Sequence, residues 1–173
     1  MRHPWFISLG PLLSVGCMRS KETSLVRDAA EAMGGASKIA EVEVLTLEGG
    51  GEAFNFGQNK SPDGELPKFN VTELRRVIDF KGGRWRQEAL RTPTFVTANP
   101  PAKQVLGIDG DVAYNVSPAG AATRASARTA IDRTAVLYHH PTGILREALG
   151  TEANLPIARK EGGQDVVDVA TPS

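Results

Sequence analysis

The residue order predicts an α+β domain: a curved antiparallel sheet, with a helix before it and a helical insert at about 126–149. Two observations carry this. From Val42 onward, segments rich in branched and aromatic residues alternate with a period of two and are separated by glycine turns. Around them, residues 23–33 and 126–149 place apolar side chains at three- and four-residue steps. The length of 173 residues suits one domain with a buried core. Twenty Lys+Arg against 20 Asp+Glu argue against nucleic acid as a partner, because such binders carry a basic excess. A single cysteine excludes an internal disulfide scaffold and a cysteine-rich zinc site.

Residues 1–17 read as a secretory signal: a weakly basic start at Arg2 and His3, then the apolar run Trp5 to Val15. That run is shorter than the ~20 residues needed to span a bilayer. Cys17 follows at once, and Leu13-Ser14-Val15-Gly16-Cys17 resembles the lipobox of bacterial lipoproteins. Ser14 stands where a branched aliphatic residue is usual, so an ordinary cleaved signal stays open beside lipidation of Cys17. Either reading places the chain outside the cytoplasm, in the periplasm or cell envelope, and the lipidated form on a membrane.

The single folded domain is expected over 23–173. Leu25, Val26, Ala29, Ala30 and Met33 give the first helix, with Thr23 or Ser24 as its cap and Gly34-Gly35 as its stop. A helical turn follows at 37–40. A strand runs from Val42 to Phe56, and Gly49-Gly50-Gly51 marks a bulge or bend in it. Residues 57–68 are a loop by composition. Phe69 to Phe80 and Arg84 to Arg91 form a hairpin around Lys81-Gly82-Gly83, and Gln104 to Ile108 with Val112 to Val116 form another around Asp109-Gly110-Asp111. The helical insert is divided by Pro141, which suits a first-turn position. Val166 to Ala170 begin a last strand after the Glu161-Gly162-Gly163 turn, with no partner strand evident; the chain therefore reads as a truncated piece with an open sheet edge.

Several strings carry a resemblance: AMGGASKI (32–39), LTLEGGGEAFNFGQNKSPDGELPKF (45–69), RRVIDF (75–80), RTPTF (91–95), GIDGDVAYNV (107–116) and LYHHPTGILREAL (137–149). Together they resemble the N-terminal region of exported bacterial hydrolases of the metallo-β-lactamase fold, a region that precedes the catalytic domain. The resemblance implies a lipoprotein-carrier-like half-barrel around an apolar cavity. It does not carry the activity across. The zinc-binding H-x-H-x-D-H motif of that fold is missing, and the only histidines are His3, His139 and His140.

Catalytic and metal-binding readings are weak throughout. Adjacent His139 and His140 point apart on a helix, so a polar helix end is expected there. Counting from Asp109, the twelfth place of a calcium loop falls on Gly120 rather than Glu, which leaves a hairpin turn. The glycine clusters lack phosphate-loop spacing and no serine sits in G-x-S-x-G. The basic run Arg75, Arg76, Lys81, Arg84, Arg86 and Arg91, with Trp85 among them, reads as a solvated sheet face with cross-strand charge pairs, against the alternative that it touches anionic lipid or the acidic face of a partner. Phe54, Phe56, Phe69, Phe80, Trp85 and Tyr114 are the candidate lining of an apolar or lipid-binding hollow, against the alternative that they fill a core. The expectation is a non-catalytic exported binding or accessory module without a cofactor. The alternatives are the front piece of a zinc hydrolase whose catalytic domain is missing, and a structural envelope protein that binds others through a strand edge.

Overall fold

The computed structural model describes residues 20–55, 59, 61–95 and 100–171. The proposed signal segment, Cys17 and Phe56 lie outside the described residues. The fold is α+β, with an antiparallel sheet of six strands in chain order that does not close.

Helix α1 (Lys21–Ala32) starts a little earlier than the periodicity predicts, because Ser20 takes the cap and its hydroxyl accepts from the Thr23 amide at 3.3 Å. Helix α2 (Ala36–Glu41) buries Ile39. The sheet then runs through β1 (Val44–Phe54), β2 (Lys68–Asp79), β3 (Arg84–Pro93), β4 (Ala102–Asp109), β5 (Val112–Val116) and β6 (Ala122–Arg124). Three-residue β6, which pairs Tyr114 with Arg124, was not expected from the sequence; it is too short and polar to show an alternating pattern. The helical insert forms α3 (Ala127–Thr134), a 3-10 turn (Ala135–Leu137) and α4 (Pro141–Leu149). Pro141 opens α4 as expected, and His140 caps it, Nδ1 accepting from the Thr142 amide at 3.2 Å. The polar helix end predicted at this histidine is thus the start of a helix.

One sequence expectation is corrected outright. The last strand, β8 (Gln164–Val167), is not an unpaired edge: it pairs with β7 (Ala158–Glu161), and Ala170 bridges to Asn154. Arg159 and Lys160 hid β7 by interrupting its apolar pattern. Both charges answer acids of the same unit, Arg159 to Glu161 and Asp168 and Lys160 to Asp165. Gly162 and Gly163, both in left-handed backbone, make the tight turn between the strands.

The bulge lies on a different strand from the one predicted. The β1–β2 register shifts between Gly49↔Leu74 and Gly51↔Val71, and the β2–β3 register between Thr72↔Leu90 and Arg75↔Glu88. In both ladders the extra residue belongs to β2, where Glu73 has φ of +53°. The glycines of β1 make room for it. A Cβ on Gly50 would stand 2.8 Å from the Val71 carbonyl oxygen, whereas Gly49 and Gly51 have open space.

The bulge decides which side chains share a face. Beyond it, Phe69 and Val71 join the face that carries Leu74, Arg76 and Ile78. One end of this inner face is covered: Ile78, Trp85 and Ile108 are packed against Leu137 of the 3-10 turn, with Leu45, Leu47 and Phe80 around them. Trp85 ties the layers together by donating from Nε1 to the Arg133 carbonyl at 2.8 Å. Helices α1 and α2 pack on α4, and Arg146 of α4 donates to the Ile39 and Ala40 carbonyls.

Candidate functional site

The helical cover ends at Arg133. Its guanidinium donates to the carbonyls of Gly107 (3.0 Å) and Tyr114 (2.5 Å) and to Asn115 Oδ1 (2.7 Å), which ties α3 to β4 and β5. Beyond this clamp the inner face carries two adjoining clefts, one of about 430 Å³ and the other of about 660 Å³, which share Arg91 and Gln104. Leu74, Val71 and Ala89 line the first; Phe69, Pro93 and Leu106 line the second.

The charges of the strands are sorted between the faces. By register, Glu48, Glu52, Asp79, Glu88 and Asp109 all fall on the outer face. There Glu48 meets Arg75, Glu52 meets Lys68, Asp79 meets Arg84, and Glu88 meets both Arg86 and Lys103. Glu88 is held down to about 2 by hydrogen bonds from Lys103 and Arg86. The inner-facing positions of the strands carry Arg76 and Arg91 and no acid.

Neither arginine is in an ion pair among the described residues. Arg76 donates through Nε (2.9 Å) and Nη2 to Gln87 Oε1, a neutral partner, and lies over the Trp85 ring at 5.3 Å. Burial pushes its guanidinium below the usual arginine range. Arg91 lies over the Phe69 ring at 4.1 Å, and its Nε is buried without a hydrogen-bond partner among the described residues. Buried polar atoms normally have partners, so this N–H is an exception that calls for an acceptor.

The predicted aromatic lining does not form one wall. Trp85, 4% exposed, fills the core, and Phe80 packs beside it under Arg146. Tyr114 lies on the outer face, its ring over Gly107 and its hydroxyl beside Arg86. Phe54, 47% exposed, pairs with Lys68 and lines a separate end pocket with Leu66 and Phe95. Phe69 alone of the described candidates reaches the two inner clefts, and Phe95 stacks on its edge at 5.3 Å, whereas Trp85 and Tyr114 together line a separate cleft of about 510 Å³ with Val44 and Val77.

Arg76 and Arg91 were read in the sequence as part of a solvated basic face. That holds for Arg75, Lys81, Arg84 and Arg86, which are paired with acids. The signal that separates the other two is parity: Arg76 alternates with Leu74 and Ile78, and Arg91 with Trp85 and Ala89.

No family model, curated protein or solved structure matches the chain.

Proposed function

We propose that the chain is a non-catalytic binding module that holds an apolar, lipid-like molecule on the uncovered part of its inner sheet face. The observation that carries this reading is the incomplete cover among the described residues: the helices bury the Ile78–Trp85–Ile108 end, while Phe69, Val71 and Leu74 line clefts that no described helix covers at the other. Concave apolar surface with a few polar groups is the usual form of a small-molecule site. The half-barrel implied by the sequence resemblance agrees with this use of the sheet. Export, with anchoring through Cys17, belongs to the same reading and rests on the apolar run and cysteine of residues 5–17.

Titration with an environment-sensitive apolar dye tests the binding. Saturable fluorescence is expected, lost in Leu74→Asp on the inner face and kept in Thr72→Asp on the outer face. Absence of saturation, or equal loss in both variants, overturns the reading. For location, Cys17→Ser is expected to move the protein from the membrane pellet to the soluble fraction; a variant that stays in the pellet contradicts the anchor.

A further inference from the structure

We infer that the ligand is an anionic amphiphile, an acyl chain ending in a carboxylate or phosphate, whose head group is drawn into the cleft that Arg76 and Arg91 both line. The inference rests on the binding reading above and adds the charge of the ligand and the residues that select it. Its basis is the sorting of charge. Every acid that the strand register assigns to a face of the six-stranded sheet stands on the outer one, and the inner face keeps two cations, Arg76 and Arg91, with no ion pair among the described residues. A partly buried cation without a countercharge is costly, because desolvation is not offset. Both arginines line the 430 Å³ cleft, with Gln87 and Gln104 beside them. Glu52 is at its rim but is engaged by Lys68 at 2.6 Å.

The donors are available. Arg76 Nη1 makes no hydrogen bond with the described residues. Gln87 uses its carbonyl oxygen on Arg76, and its amide nitrogen has no acceptor among the described residues. Guanidinium groups match carboxylate and phosphate oxygens in geometry as well as charge. Leu74 and Val71 line the same cleft, and Phe69 lines the adjoining one, so a chain leaving the head group meets apolar surface. The Phe69–Phe95 edge pair continues that surface toward the end of the sheet.

The test compares palmitate, hexadecyl phosphate and hexadecanol for displacement of the apolar dye from the full chain. One or both anions are expected to bind about ten- to a hundredfold tighter than the alcohol, the range for charge-assisted hydrogen bonds in a cleft. The tighter of the two anions identifies the head group. Arg76→Gln and Arg91→Gln are expected to reduce this preference while leaving alcohol binding in place, which also reports that the variants are folded. Arg75→Gln, one residue away but outward-facing, is expected to keep it. If the alcohol binds as tightly as both anions, or both inner variants keep the preference, the head-group site is overturned and the apolar reading survives. If none of the three ligands displaces the dye, both fall.

Discussion

Trp85 is the side chain through which sheet and helices meet, stacked under Arg76 on one side and bonded to the Arg133 carbonyl on the other. Trp85→Phe keeps most of the apolar contact but removes the indole donor, and is expected to cost about 1–2 kcal/mol in urea unfolding. Glu88 provides a test of the outer face. Its carboxyl has a pKa of about 2, below its ordinary 4.5, so its stabilising effect is present above about pH 4.5 and fades as pH falls toward 2. The urea midpoints of the parent and Glu88→Gln should therefore differ at neutral pH and converge in acid. A constant gap would show that the carboxylate is not stabilised by Lys103 and Arg86. At this scale the sequence was readable for the paired charges and misleading for the unpaired ones. Arg75 and Arg76 look alike in a string, and only the strand's alternation, once its face is known, sends one to Glu48 and the other to Gln87.

Among the elements, β2 departs most from regularity. Its extra residue, Glu73, occupies left-handed backbone at a strain of about 1–2 kcal/mol. Glu73→Gly relieves that strain and adds about 0.5–1 kcal/mol of unfolded-chain entropy, so a net gain of about 0.5–1 kcal/mol is expected. The neighbouring glycines of β1 should separate cleanly on substitution. Gly50→Ala is expected to cost about 1–3 kcal/mol, because its methyl meets the Val71 carbonyl, while Gly49→Ala and Gly51→Ala stay near neutral. Equal costs at all three would remove the clearance argument. The glycine run announced an irregularity in the sequence, but its partner strand supplies the added residue, and a single strand's composition cannot reveal which of two neighbours carries it. Helix starts were legible to within a turn, since Ser, Thr and Pro act locally. Strand β7 was not, because two of the acids that answer its charges, Asp165 and Asp168, are brought up from the other arm of its hairpin.

For the whole molecule, the consequential feature is the contrast between two ends of one sheet face, one sealed by Leu137 and its neighbours and the other left uncovered by the described helices. A ligand bound to the native state alone should raise stability by about 2.7 kcal/mol at a concentration a hundredfold above its dissociation constant. Chemical unfolding with and without palmitate or hexadecyl phosphate measures this, and an unchanged midpoint at saturating ligand would deny linkage between site and fold. The sheet and helices could be read from periodicity, whereas the uncovered clefts depend on how far the helical insert reaches, which no local pattern encodes. The Glu73 insertion has one more effect. Sliding β1 along β2 by two places would bring a Cβ-bearing residue to the spot where only Gly50 clears the neighbouring carbonyl. The two strands therefore possess a built-in index mark that sterically rejects mis-threaded alignments, even though their polar outer faces would tolerate slippage.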